Sequence, residues 1–179
     1  MKTSLYSIFL LALLLTGSCT SDADSEKPVL VLANTEWELL EATLIGRGTV
    51  EVPGSSTRVP VNIDGVGQDY DMSLTFSDGD QLVAATGRFV FDVSVSALGV
   101  PLQSERIPVQ GVEIFSGNWE LLGDELVITD NEEVVRLDIV DNSETMLKLN
   151  GAIDASDFES LQEEGLTVSE SSIEIVLVK

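Results

Sequence analysis

From Phe89 to Ser96 the side chains alternate without a break: Phe89, Phe91, Val93 and Val95 fall on one side, and Val90, Asp92, Ser94 and Ser96 on the other. An extended chain points successive side chains to opposite faces, so this pattern gives one dry and one largely wet surface. The stretch reads as a half-buried antiparallel strand, which needs partners to cover its dry face. A second stretch, Ser116 to Thr129, joins two apolar runs through Gly123-Asp124, a tight-hairpin signal. Within it Trp119-Glu120-Leu121-Leu122 repeats Trp37-Glu38-Leu39-Leu40 letter for letter.

The rest of the chain carries more segments of this kind. Thr35 to Leu44 alternates as a strand with leucines on both faces, which predicts a bulge, and Gly46 and Gly48 then predict an interruption. Residues 46 to 69 hold five glycines and two prolines, and read as a long connection in which only Arg58 to Ile63 is extended. Met72, Leu74 and Phe76 lead through Ser77-Asp78-Gly79-Asp80 into Gln81 to Thr86, a hairpin. Leu98 to Leu102 is an apolar turn, and a return strand is expected from Ile107 through Val112 to Phe115. Val135 to Ile139 and Leu147 to Leu149 make another hairpin. Asp154 to Glu164 is expected to be the one helix, with a Ser156/Glu159 capping box and Gly165 as its stop. Ser172 to Val178 closes the chain as a strand apolar on both faces, and Val29 to Leu32 either forms an edge strand or packs against one. Eight to ten strands joined by short hairpins predict an all-β fold, an antiparallel up-and-down β-barrel with one short helix before the last strand; a two-sheet sandwich is the other architecture that this periodicity allows.

The composition narrows the functions. With 31 acidic residues, 9 basic ones and no His, the net charge of -22 opposes nucleic acid and other polyphosphate surfaces. One Cys without His leaves neither a zinc site nor a nucleophile-His pair, and no cofactor or metal is expected. The carboxylate pairs Asp78/Asp80 and Asp124/Glu125 sit in turns that use Asp for local hydrogen bonding, so no enzymatic activity is expected either.

Lys2 precedes an apolar run from Leu5 to Leu15 that is followed by Thr16, Gly17, Ser18 and Cys19. The run has the length of an export signal and is too short to remain as a membrane span. Leu-Thr-Gly-Ser-Cys resembles a bacterial lipobox, which implies that Cys19 carries lipid and becomes the first mature residue. Residues 1–18 are then a signal peptide, 19–33 a polar acidic tether, and 34–179 the folded domain. The address expected is the cell envelope, as an outer-membrane lipoprotein facing the periplasm or the surface.

Trp37 near the domain start, Gly117-Asn118-Trp119, the meander of strands and the helix before the last one together resemble the lipocalin-like lipoproteins of Bacteroidetes. The resemblance implies a barrel that holds a small hydrophobic ligand, with Phe76, Phe89, Phe91, Val93, Phe115 and Trp119 as candidate lining. Any such ligand is expected to be neutral or cationic. Lipocalins also stack a basic residue over their first Trp, and here no Arg follows Arg136. The alternative function is an envelope interaction or scaffold module with a filled core, its protein partner unspecified. An exposed apolar patch around Leu98, Val100 and Leu102 would favour it.

The anchor is testable by fractionation: Cys19→Ser is expected to give soluble or unprocessed protein. Recovery of the variant in washed membranes at the mature size would refute lipidation at Cys19.

Overall fold

A computed structural model describes residues 30–52, 54–131, 133–153 and 166–179. In chain order the elements are β1 (Thr35–Glu51), β2 (Arg58–Phe76), β3 (Leu82–Ala97), β4 (Val100–Gln110), α1 (Gly111–Phe115), β5 (Gly117–Leu122), β6 (Glu125–Asp130), β7 (Glu133–Asn142), β8 (Met146–Ala152) and β9 (Leu166–Val178). The strands form one nine-stranded antiparallel sheet in the order β2-β1-β9-β8-β7-β6-β5-β3-β4, and β2 also pairs with β3. That extra pairing closes every strand except β4 into a ring. The expected all-β, antiparallel meander is present. The expected helix at Asp154 to Glu164, the segment 1–18 and most of the tether lie outside the described residues.

The ring closes because β3 serves two neighbours along one edge. Leu82 and Val83 pair with Asn118 and Gly117 of β5, whereas Arg88 to Ala97 pair with β4. After leaving β4 the chain must step along that edge to reach the β5 seat, and α1 makes the step. The strand expected through Val112 to Phe115 is therefore a short helix instead. Gly111 opens it where a Cβ would lie 2.8 Å from the Met72 sulfur. Between the two ladders the Ala85 amide donates to the Ser116 hydroxyl at 3.0 Å, so this backbone donor keeps a partner.

The glycines expected to break β1 and the next segment do not. β1 runs through Gly46 and Gly48 to Glu51, and β2 is continuous over 19 residues, so the long connection expected over 46–69 is the end of one strand, a short turn and the first part of the next. Gly46, Gly48, Gly65 and Gly67 all occupy inward positions of the alternation. A Cβ on Gly65 would lie 2.8 Å from that of Leu44, one on Gly67 would strike the Tyr70 ring, and one on Gly48 would strike the Thr167 carbonyl. Here glycine marks close approach within a sheet. Gly87 does the same within β3: with φ of +77° it joins the two expected strands 81–86 and 89–95 into one of 16 residues.

The bulge expected in the first strand lies at Leu40, skipped between the Leu39↔Leu177 and Glu41↔Val176 pairs, which leaves its side chain exposed. On the other edge, β1–β2 pairing lapses between Glu38↔Ser73 and Thr43↔Val66. Tyr70 spans the lapse: its hydroxyl accepts from the Ala42 amide at 3.0 Å, and its ring stacks on Phe89 at 6.2 Å. Alternation carries on above and below the irregularity because both strands re-enter register with the same face inward.

Trp37, Leu44, Leu74, Phe76, Phe89, Leu126, Ile128, Leu137, Leu149 and Ile175 belong to a single core. Leu32 packs into it ahead of β1, which places this part of the segment expected at Val29 to Leu32 as packing rather than strand. The Trp37 indole donates to the Thr35 hydroxyl at 2.7 Å, and that hydroxyl donates to the Leu32 carbonyl. A basic residue does cover this ring: the Lys179 ammonium lies 4.5 Å from its centroid, a cation–π contact. Trp37→Ala is expected to cost about 3–5 kcal/mol in denaturant unfolding, because it opens a cavity in a wall that cannot collapse. A loss below about 1 kcal/mol would show that Trp37 does not hold this end of the ring.

Candidate functional site

The six residues expected to line a ligand site are all buried in the one core. Phe76 and Trp119 meet edge to face at 5.7 Å, and Phe89 and Phe91 do so at 4.9 Å. Such aromatic geometry is that of a packed interior. Phe115 ends α1 against the same core, and Val93 pairs with Gly65 across the β2–β3 ladder. Their exposures run from 0% for Phe76 and Phe89 to 8% for Trp119. The Trp119 indole donates to the Ser77 carbonyl at 3.1 Å, so its polar edge is used in holding the β2–β3 turn. Among the described residues no polar or charged side chain is fully buried.

Two recesses of the described residues open to the outside. One, of about 500 Å³, lies at the lapse in the β1–β2 ladder, where Glu36, Glu38, Tyr70, Asp71 and Thr86 line it together with the core residues Leu39 and Met72. The other, of about 340 Å³, is a shallow trough along β3 and β4 next to Asp92 and Arg106. Arg106 donates to Asp69 at 2.7 Å and to Asp92 at 3.0 Å. These hydrogen bonds, that to Asp69 first, raise the guanidinium pKa above its ordinary value.

The carboxylate pairs lie at two hairpin turns. Asp78 lies in the β2–β3 turn, where its carbonyl accepts from the Gln81 amide at 3.4 Å. Glu125 pairs with Arg136 at 3.0 Å, and the Asp124 carbonyl accepts from the Ile139 amide at 2.7 Å.

The feature that stands out is the β3–β4 hairpin. Its turn residues Leu98 and Gly99 have φ of +50° and +79° between the paired Ala97 and Val100, as a two-residue type I′ turn requires. That turn favours Asn, Asp or Gly in its first place because a side chain in the left-handed region crowds its own backbone. Among the described residues the other non-glycine positions with positive φ are Asn34, Asp69, Gln81 and Asn131, all polar. Leu98 is also 91% exposed, with Val100 at 61% and Leu102 at 52%. The exposed patch expected of an interaction module is thus present in the described residues. Pattern reading alone found these three residues, but it could not tell whether a neighbouring strand covers them.

A residue that suits neither its backbone nor its solvent gives a clear stability test. Leu98→Asn is expected to raise unfolding stability by about 0.5–1 kcal/mol, since Asn tolerates the left-handed turn and removes an exposed leucine. A loss of stability instead would mean that Leu98 packs against the rest of the fold.

Compared with protein families, with curated proteins and with solved structures, the chain matches none, so the functional reading rests on these residues.

Proposed function

We propose that this chain is a lipid-anchored protein of the bacterial envelope whose lipocalin-like barrel serves as an interaction module with a filled interior. Supporting the barrel type are the eight-stranded ring, the up-and-down order of its strands, and the Lys179 ammonium over Trp37, the first tryptophan. Small closed rings of this strand number are either filled by their own side chains or hold one small ligand. The observation that carries the choice is the packing of Phe76, Phe89, Phe91, Val93, Phe115 and Trp119 at 0–8% exposure without a buried polar group beside them. A guest would have to displace aromatic pairs that already satisfy one another, whereas a binding cavity holds most of a ligand's surface in space that is largely pre-formed.

The acidic exterior keeps the module soluble and repels anionic surfaces. Lipid on Cys19 holds it at a membrane, because each buried acyl methylene adds roughly 0.8 kcal/mol.

The test is a titration of the chain lacking residues 1–19 with 1-aminoanthracene, an apolar fluorescent probe, under conditions where circular dichroism shows the sheet intact. No saturable binding is expected. Stoichiometric binding that dodecanol displaces would favour a carrier of a small apolar ligand and overturn the filled-module reading.

A further inference from the structure

We infer that the β3–β4 hairpin tip is the docking knob of this module, and that its occupant is a protein offering an apolar cleft rimmed by lysine or arginine. The inference rests on the filled-module reading and adds the surface, the partner's chemistry and the mode of contact.

Charge comes first. The twelve residues from Val93 to Ser104 carry no charge, in a chain with a net charge of -22. Within them Leu98, Val100 and Leu102 stand in solvent at the tip. Desolvating this surface on contact therefore costs no ionised group. Just behind the tip Arg47, in the row of Ser96, lies opposite Glu170, and the strands then carry Asp64, opposite Ser94, and Asp92 and Glu105. Arg106 is already engaged by Asp69 and Asp92. An apolar centre with an acidic surround matches a cleft of opposite rim charge, which also speeds the encounter.

Position comes second. The described chain begins at Leu30, beside Thr35, which pairs with Phe76 at the turn into β3. The tip lies at the other end of the same strands, where Asn62 pairs with both Arg47 and Ser96. Thr35 and Arg47 are twelve residues apart, up to about 40 Å along a strand. A lipid anchor on the N-terminal segment thus attaches at one end while the knob projects from the other. This geometry favours a protein over the anchoring bilayer as occupant.

The mode of contact follows from two prolines. The far edge of β4 has no strand partner among the described residues, but Pro101 and Pro108 interrupt it. Neither has an N–H to donate, and proline on an edge strand discourages an added strand. The contact inferred is therefore through side chains at the tip rather than by extension of the sheet.

The experiment is photo-crosslinking in the cells that make the protein, on the full chain. Leu98→p-benzoylphenylalanine is compared with the same replacement at Leu122, which is 51% exposed beside the β5–β6 turn. Expected from position 98 is one discrete heterologous protein adduct that Leu122 does not give, that Val100→Asp abolishes and that high salt weakens at least severalfold. The crosslinked peptide is expected to carry apolar residues flanked by Lys or Arg. A lipid adduct, an adduct with a second copy of this chain, or the same products from both positions would each overturn the inference. Arg47→Ala, in β1, and Pro108→Val, at the far end of β4, are expected to leave the adduct intact; a stronger adduct in Pro108→Val, which restores an N–H, would point to strand pairing and against the knob. The probe titration above separates the two levels: saturable interior binding removes the module reading, whereas an empty titration with no specific adduct removes only the knob.

Discussion

One strand edge governs the architecture. β3 pairs with β2 along one side and must satisfy β4 and β5 in turn along the other. A sheet closes only if its last free edge finds a partner, and here the closing contact is short. Two residue pairs do the work, with the Trp119 amide donating to the Gln81 carbonyl at 2.7 Å and the Asn118 side chain to the Asp80 carbonyl at 3.2 Å. The brevity of this seam explains why Trp119 and Phe76 pack directly behind it: apolar contact supplies what a longer ladder would have given. The rest of β3's edge belongs to β4, and so the ring acquires a hairpin that stands outside it.

Charge plays little part in holding this arrangement. The ion pairs Arg58–Glu51 and Arg106–Asp92 join side chains that remain more than half exposed, where solvent and salt screen most of their attraction. Among the described residues every fully buried residue is apolar or a glycine, with the polar edge of each tryptophan satisfied locally. The heavy acidic surplus is therefore a property of the surface, and it sets which partners can approach without setting the fold.

Much of this was legible in the sequence because alternation is a direct record of sheet burial. Phe89 to Val95, the Trp119 hairpin and the Ile173 to Leu177 strand read correctly from period two alone. Glycine misled in Gly46, Gly48, Gly65 and Gly67, since the same residue that ends a strand also permits a neighbour to crowd one. Telling these apart requires knowing that Leu44, Tyr70 and Thr167 are there, which is information held in other strands. The step through Gly111 to Phe115 was hidden for a similar reason, because it answers to the competition of β4 and β5 for one edge. The Lys179 contact with Trp37 was not legible because the covering cation is a lysine rather than an arginine and lies far from Trp37 in sequence. At the candidate site, all six inward residues could be named from their spacing, but whether they enclose space or fill it depends on how opposite walls meet.

The pairing of β1 with β9 has a consequence for how the chain is made. Ser169 donates to the Arg47 carbonyl at 3.1 Å across 122 residues of sequence, and Trp37 is capped by the final residue. Contacts this distant in sequence are costly to form early and slow the search for the native state. A chain still emerging has no last strand, so its first strand keeps an open edge and its first tryptophan lacks its cover. The ring can complete itself only once β9 has been made, and until then the edge of β1 that β9 covers stays open.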